Sequence, residues 1–599
     1  MNYYIIAAGG TGAMCVRSFI YLAAAGCAKD FDTYHILLVD KDTKSDAVTA
    51  CENLLEDYNV MYDQLRNDKF TFPKITLHKW SFTEAIMDEY ESKTGKLAED
   101  LSTLTLDKLL NPDHDPNTAR MLNTMYTTAE LNTDLKNGFY GHPNIGAPVF
   151  DYIRDRFLDP KDNAFMNSLR GELSKGKAYV YLFGSLFGGT GATVIPNVVL
   201  ALRSIKGTDG TAIGKNNLIL GGSMVMPYFK LPQMKPDCLD KLEKLVPEDT
   251  KFADQTREAL DYYDSSQLLK EMMNLTLVGS SELDVTSEIF ARGGAQHQHF
   301  HMVLMMAAVA ANRFFSRNLG AMATVNVDNT TPVTPLGELI LWKFTPGDPG
   351  NQGNYASLTA SELGLSIELK QMTSFLRFSV VVAFYMRKRF DEVSWDRLCK
   401  DVEVLGTIRQ MSADVGRELD PKKMTNTDFE TYYKLPVQKA GAICRGFIEF
   451  FFDVALSGYD WSKFRDYYRD ENRAQKVGTN TYYPYIQGAI SEDAEKTFST
   501  RWVDIANVNI LMEILKTADP MDVLTRYSLN DICSFSYLDA GRGGVKEKDY
   551  SDNIGQVYHN ALSRLHLERN LFGRVVNTNA KFSDIYAQLR MMCQEGGNV

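Results

Sequence analysis

Two segments of the chain share one order of hydrophobic and polar positions: a short apolar run, a glycine-rich turn and a longer apolar run with helical spacing. The first is IIAAGGTGAMCVRSFIYLAAAG near the amino end, and the second is AYVYLFGSLFGGTGATVIPNVVLALRSI at 178–205. Each predicts a buried strand that turns tightly into a helix. Glycine lets the backbone approach a polyphosphate, and the first N–H groups of the helix favour its negative charge. Because lysine is missing after the glycines, neither loop is a Walker loop.

The rest of the pattern divides the chain into a strand-and-helix half and a mostly helical half. YHILLVD at 34–40 predicts a second strand of a parallel sheet, and 176–290 alternates between strand and helix patterns, as a doubly wound sheet requires. Between them, 51–175 is mostly helical and polar. From 319 onward one strand pattern, GELILWKF at 337–344, is followed by helical periods to the end.

At its glycine loops the chain resembles the tubulin/FtsZ superfamily of filament-forming GTPases. That family has GGGTGSG or GGGTGTG as its signature loop, and FGGTGAT stands at 187–193 here, so Phe187 replaces the first glycine and Thr193 the last. Pro196 also fits the bacterial pattern. The family's first loop corresponds to Gly9–Gly12.

The resemblance extends over roughly the first 330 residues and is closest to divergent bacterial members of the family. NNLILGGSMVMPYF at 216–229 and NLTLVGSSEL at 274–283 fit family strands, and 293–318 looks like the core helix. The implied fold is α/β: a tubulin/FtsZ-like Rossmann-type parallel sheet with a long core helix, a smaller α+β second domain and a helical C-terminal extension.

This resemblance also sets the expected domain boundaries. The expected parts are a nucleotide-binding domain at 1–292 with a mostly helical insertion at about 51–175, the core helix at 293–318, an activation-type second domain at 319–400, and a helical C-terminal region at 401–599. The insertion is expected to offer a surface for a partner or a lateral contact.

The resemblance implies a site for GTP and Mg²⁺, with the phosphates between the two loops and the Thr190 hydroxyl as a donor. Asp42 would lie near the metal, although Asp40 and Asp42 can also be read as solvated carboxylates at a strand end. The base would meet the loop at Gly279 and Ser280 and the start of the core helix, and no residue separates guanine from adenine. The implied nucleotide-binding residues are Gly9, Gly10, Thr11, Gly12, Asp42, Gly188, Gly189, Thr190, Gly191, Ala192 and Gln296.

In this family hydrolysis is completed by a loop from the next subunit, patterned NxDxx(D/E), whose acids position the attacking water. VNVDNTTPV offers Asn326 and Asp328 as the implied catalytic residues, but Thr331 replaces the second acid. A water-orienting role needs a carboxylate within reach. We therefore expect slow hydrolysis or none, and the alternative is that these residues form an exposed Asx turn.

The histidine-rich segment HQHFH at 297–301 raises the question of a metal site. On a strand its histidines would share a face, but on a helix only His297 and His301 would. Because the segment has no paired carboxylate or cysteine nearby, we predict no metal site there, and expect the histidines to line the nucleotide pocket or pack at the helix start.

Composition and charge limit the cellular location and the classes of partner, but they say little about the function. The 599 residues carry a formal net charge of −12, which argues against direct binding to nucleic acid. The eight cysteines include no CxxC pair. The amino end does not read as a signal peptide, and the longest apolar run, at 302–311, is too short to span a bilayer. We expect a cytoplasmic protein with reduced thiols.

Three functions compete on this evidence. The first is a GTP-binding protein that assembles head-to-tail with itself into cytoskeletal-type filaments and completes its GTPase site at the subunit interface. The second is a non-polymerising nucleotide-binding switch or scaffold of a bacterial multiprotein system, such as a defence system, with a protein partner on the helical C-terminal half. The third is an NAD-type Rossmann enzyme, for which AAGGTGAMC has Cys15 in place of the third glycine.

Overall fold

The structure is a computed structural model of the full chain. It describes the following residues: 1–28, 32–40, 46–65, 72–97, 101–135, 139, 142–230, 251–265, 274–280, 284–285, 300–316, 336–342, 366–380, 382, 425, 427, 435–455, 475–477 and 480–482.

A seven-stranded sheet forms the centre of the fold, with strand order β3-β2-β1-β4-β5-β7-β9. All pairings from β2 through β9 in this order are parallel, so six strands run the same way. The strands of this sheet are β1 (Asn2–Ala8), β2 (Thr33–Val39), β3 (Lys74–His78), β4 (Ala178–Ser185), β5 (Leu218–Val225), β7 (Asn274–Ser280) and β9 (Leu336–Trp342). The prediction of an α/β fold with a Rossmann-like parallel sheet is confirmed.

Two further strand pairs lie outside this sheet. They are the parallel pair β6 (Phe229–Lys230) and β8 (Asp284–Val285), and the antiparallel pair β10 (Gln475–Val477) and β11 (Asn480–Tyr482).

Helices connect most of the strands. In chain order they are α1 (Gly9–Ala24), α2 (Asp46–Leu65), α3 (Phe82–Thr94), α4 (Leu106–Leu110), α5 (Pro116–Met125), α6 (Thr128–Leu131), α7 (Pro143–Tyr152), α8 (Arg154–Leu158), α9 (Ala164–Lys175), α10 (Gly189–Arg203), α11 (Ile213–Asn216), α12 (Phe252–Ser265), α13 (Met302–Ser316), α14 (Ser366–Val380) and α15 (Leu435–Ala455).

Both faces of the sheet are buried, which explains why its strands read as continuous apolar runs. On one face Tyr4 and Ile6 of β1 belong to a core that includes residues of α7, α9 and α10. On the other face the ring of Tyr3 lies 4.7 Å from that of Phe315 in α13. Gly221 of β5 makes room there for Phe314, because a Cβ on this glycine would lie 2.7 Å from the Phe314 ring.

The structure differs from the predicted layout in three places. The segment at 51–175, predicted to be mostly helical, also contributes the strand β3 to the edge of the sheet. The described core helix begins at Met302 rather than at 293, because the Val303 N–H donates to His301 Nδ1 over 3.1 Å and Phe300 is not helical. Strand β9 lies in the main sheet, although 319–400 is predicted to form a second domain.

The chain divides into two compact units. One comprises Met1–Phe19, Asp32–Asn53 and Ile75–Lys343, and the other comprises Ile20–Phe31, Leu54–Lys74 and Phe344–Val599. Within the second unit the Tyr21 ring stacks on that of Phe450 at 5.3 Å, and Lys439 Nζ lies 2.5 Å from Asp57 Oδ1. The second unit therefore contains the ends of α1 and α2 as well as α14 and α15. Among the described helices, none combines the length and hydropathy that crossing a bilayer would need.

Candidate functional site

Both glycine loops lie at the carboxyl edge of the sheet, on neighbouring strands. β1 ends at Ala8 and α1 begins at Gly9, while β4 ends at Ser185 and α10 begins at Gly189. Since β1 pairs with β4, the two helices begin side by side. The strand order also reverses between β1 and β4, and in open α/β sheets ligands bind in the crevice at such a reversal.

The two loops touch each other at Gly9. Its φ is +72°, and a Cβ there would lie 3.3 Å from the Thr190 Cβ and 3.5 Å from the Gly191 backbone nitrogen. A side chain at Gly9 would therefore be strained and would push the loops apart. Gly10 and Thr11, the next two residues, are partly exposed, whereas Thr190 is buried.

This contact brings two helix N-termini together, and each carries partial positive charge. In each helix the first N–H groups have no partner within the helix itself. The N-cap of α10 is Gly188, which has no side chain to cap the helix, and neither helix has an acidic residue in its first turn. The like ends repel each other, and an anion between them would remove the repulsion.

Gly191 and Gly188 both pack around Ser185, a residue that the sequence motifs do not single out. A Cβ on Gly191 would lie 2.6 Å from the Ser185 nitrogen and 2.8 Å from its carbonyl oxygen. A Cβ on Gly188 would lie 2.5 Å from Ser185 Oγ. Ser185 is 3% exposed and ends β4. A polar residue at the end of an apolar strand, just before a glycine loop, is the signal that would have found it.

Gly12 packs the first turn of α1 onto the sheet. A Cβ there would lie 2.9 Å from the Phe183 carbonyl oxygen and 3.0 Å from the Ala7 carbonyl carbon. This close approach accounts for a glycine at this position without a ligand. Met14 and Cys15, which follow, are fully buried, and burial raises the pKa of the Cys15 thiol. Cys15 is therefore an inert core residue.

Thr193, which stands where the family has its last glycine, joins α10 to α7. Its Oγ1 lies 2.6 Å from the Gly189 carbonyl oxygen and 3.1 Å from that of Pro143. A Cβ on Gly146 would lie 2.8 Å from the same hydroxyl oxygen. The start of α7 therefore packs closely against the first turns of α10, so this part of the 51–175 segment supports the glycine loop.

A buried carboxylate fixes the start of α7. Glu130, whose side chain is 11% exposed, accepts hydrogen bonds from Asn144 Nδ2 over 2.6 Å and from the Thr127 N–H over 2.8 Å. His142 Nδ1 lies 3.6 Å from the carboxylate. Burial raises the pKa of Glu130, but the donors from Asn144 and Thr127 outweigh burial, and the pKa lies below its usual range. The sequence gives no signal for this cluster, because its members meet only through tertiary packing.

An aromatic cluster surrounds Phe187, the residue just before the glycines of the second loop. The Phe187 ring lies 4.8 Å from that of Phe252 and 5.6 Å from that of Phe229. The Tyr228 ring lies 4.9 Å from both Phe229 and His301. Phe187 is 3% exposed, so it packs into this cluster at the carboxyl ends of β4 and β5.

One cation lies on the helix that follows the first loop. The Arg17 guanidinium of α1 lies 4.6 Å over the Phe300 ring, and its Nη1 donates to Met14 Sδ over 3.0 Å. Burial raises the pKa of the nearby Cys51 to about 12, and the charge of Arg17 lowers it in part. Arg17 therefore adds positive charge on the side of α1 that faces Cys51.

The remaining predicted site residues divide between described and undescribed parts. Asp40 follows β2 directly and is half-buried, and because Ala8 is in register with Val39, it lies beside the first loop. Gly279 and Ser280 are the last residues of strand β7 rather than loop residues. The predicted residues Asp42, Gln296, His297, Asn326 and Asp328 lie outside the described residues. Within the described part of the chain, no three His, Cys, Asp or Glu side chains form a group that could hold a metal ion.

We compared the chain with known protein families and with curated proteins. No protein-family model matches the chain, and no curated protein matches it. The fold and the contact between the loops therefore carry the functional argument.

Proposed function

We propose that the protein binds a nucleoside triphosphate, GTP by family resemblance, in the crevice between its two glycine loops. The observation that carries this proposal is the contact of Gly9 with Thr190 and Gly191 at the strand-order reversal. It brings together two helix N-termini that have no acidic residue in their first turns. A dipolar crevice of this kind suits an anion with more than one charged group.

The described residues fit the phosphate part of this ligand. Backbone N–H groups of Gly10, Thr11 and Gly189 and the Thr190 hydroxyl are the donors that would hold it. Mg²⁺ would neutralise charge on the outer phosphates and prefers oxygen ligands. Among the described residues, Asp40 is the carboxylate beside the first loop. The remaining acid of this proposal, Asp42, lies outside them.

Assembly is the second part of the proposal. Head-to-tail contact between copies is heterologous and yields open filaments, and Asn326 and Asp328 would act on the nucleotide of the next subunit. The support is the family resemblance of the two loops. Because Thr331 replaces an acid of the catalytic pattern, we propose slow turnover.

A dinucleotide enzyme is the second candidate, because the order 3-2-1-4-5 is also that of Rossmann dinucleotide-binding domains. In those domains the third glycine of GxGxxG packs the helix onto the strand. Here Cys15 takes that place in the sequence, and Gly12 makes the close approach. The close contact of a second glycine loop also favours the triphosphate.

Direct binding measurements separate these candidates. The purified chain is titrated with GTP, ATP and NAD in the presence of Mg²⁺, and the same samples are centrifuged at high speed and imaged by electron microscopy. Tight binding of one triphosphate with filaments in the pellet supports both parts of the proposal. Binding without filaments supports the switch or scaffold, and binding of NAD alone refutes the proposal.

A further inference from the structure

A half-buried polar seam lies between the sheet and α9, near the amino ends of β1 and β2 and the carboxyl end of β3. It consists of Asn2 and Tyr4 of β1, His35 of β2, His78 of β3, and Ser168 and Glu172 of α9. The surrounding core is apolar, and the Tyr4 side chain is fully buried.

The seam is a chain of hydrogen bonds that fixes the tautomers of both histidines. Asn2 Nδ2 donates to Glu172 Oε2 over 3.1 Å, so Asn2 Oδ1 faces His35 Nε2 at 3.4 Å. An amide oxygen can only accept, so His35 carries its hydrogen on Nε2. Its Nδ1 then accepts from His78 Nε2–H, at 2.9 Å. Every bond in this chain is satisfied while both rings are neutral.

Aromatic contacts tie the same two rings to β1 and α9. The His35 ring stacks on Tyr4 at 5.0 Å. The Phe165 ring of α9 meets Tyr4 at 5.4 Å and His78 at 5.7 Å, edge-on in both cases. β3 has five residues and lies at the edge of the sheet, with β2 as its neighbour. The histidine pair therefore links this edge strand to β2 and to the start of α9.

Protonation conflicts with this arrangement. A proton on His35 Nδ1 would set two N–H groups face to face at 2.9 Å, and only His78 Nδ1 can take a proton without breaking the bond. On α9 the charged side chains are Arg170, which donates to the Leu158 and Lys206 carbonyls, and Glu172 and Lys175, which lie 3.9 Å apart. β3 carries Lys74, and the Met1 amino group beside β1 lies 2.9 Å from Asp32. Both carboxylates already have cationic partners. Burial lowers the pKa of His78, so charge there is disfavoured as well.

We propose that His35 and His78 form a proton-sensitive latch, which holds β3 and α9 on the sheet while both rings are neutral and releases them when the pair takes up protons. The latch acts between near-neutral and mildly acidic pH. It does not depend on nucleotide binding.

The direction of the effect follows from proton linkage. The closed state binds fewer protons than the open state, in which both imidazoles titrate near the ordinary histidine pKa of about 6.5. Stability of the closed state is therefore complete above that pH and is lost as the pH falls below it. For one proton taken up on opening, the opening constant rises roughly eightfold between pH 7 and pH 5.5.

Hydrogen–deuterium exchange of the full chain with mass spectrometry tests this latch. Peptides from α9 and β3 are followed at pH 7 and pH 5.5, after correction for the intrinsic pH dependence of exchange, with α10 as the internal reference. The test variant is His78→Gln, whose amide N–H can donate to His35 and whose oxygen can turn toward a protonated His35. The matched control is His114→Gln, because His114 lies in an exposed turn.

We expect protection of α9 and β3 to fall roughly eightfold in the wild type and in His114→Gln, and by less than about twofold in His78→Gln. An equal fall in His78→Gln would overturn the proposal, as would a wild type in which α9 and β3 change no more than α10. If His78→Gln does not fold, His35→Asn replaces it, because the asparagine oxygen can accept from His78. The wild-type comparison with α10 stands in either case.

Discussion

A carboxylate placed at Gly10 should block nucleotide binding while keeping the fold. Gly10 is the second residue of α1, is partly exposed and does not have a positive φ, so its backbone conformation allows a side chain. Because α1 has no acid in its first turn, Gly10→Asp should stabilise the helix by about 0.3–1 kcal/mol. The same charge would face the phosphates that we propose to lie between the two loops.

The size of the loss follows from Coulomb's law. Gly10 is adjacent to Gly9, whose Cβ position is 3.5 Å from the Gly191 nitrogen, so a phosphate held by both loops would lie roughly 5 Å from the new carboxylate. At an effective dielectric constant of about 20, one pair of charges at this distance repels by about 3 kcal/mol. We therefore expect nucleotide affinity to fall by roughly 150-fold.

The matched control is Gly10→Asn, which has the same size and no charge. Affinity is measured by isothermal titration calorimetry with the preferred triphosphate, and folding by thermal denaturation. We expect Gly10→Asn to bind within about fivefold of the wild type and Gly10→Asp to keep or slightly raise the melting temperature. If Gly10→Asp binds as tightly as Gly10→Asn, the phosphates do not lie at this crevice and the reasoning is refuted.

Two further predictions concern stability. Gly191→Ala should destabilise the first unit by about 1–3 kcal/mol, because the new Cβ would lie 2.6 Å from the Ser185 backbone nitrogen. The control Gly171→Ala on α9 should be neutral or slightly stabilising, since nothing lies within 4 Å of its Cβ position. Equal melting temperatures of the two variants would contradict this prediction. Glu130→Gln should lower the melting temperature at pH 7, and because the folded pKa of Glu130 is depressed, the difference from wild type should shrink as the pH falls from about 4.3 through the folded pKa. A difference that persists undiminished at pH 3 would show that the Glu130 charge does not stabilise the start of α7.

Much of the first unit could be read from local patterns. The apolar runs before the two glycine loops predict strands, and β1, β4 and the helices that follow lie where the patterns place them. Whether a segment forms a strand or a helix depends on apolar spacing and turn residues within a short stretch, so the sequence carries this information directly. The predicted start of the core helix differs from the observed start at Met302, which depends on a single contact, the bond from the Val303 N–H to the His301 side chain.

The long-range features could not be read in this way. β3 lies in the segment predicted to be mostly helical, and β9 lies in the segment predicted to form a second domain. Their positions in the sheet are decided by the strands that pair with them. Thr193 departs from the family pattern, and its role becomes clear only from the carbonyl of Pro143 and the backbone of Gly146. Such partners are about 50 residues away in the chain, so no local pattern records them.

The sequence alone determined which residues can form the phosphate-type loops, because glycine content and helical spacing are local properties of the chain. Tertiary structure alone decided that the loops meet at Gly9 and Thr190, on strands that are separated by about 170 residues in the chain. It also decided which glycines serve packing: Gly12 and Gly191 lie against the backbone of neighbouring strands. The physical reason is that steric fit and dipole alignment depend on distances between atoms, which the order of residues does not specify.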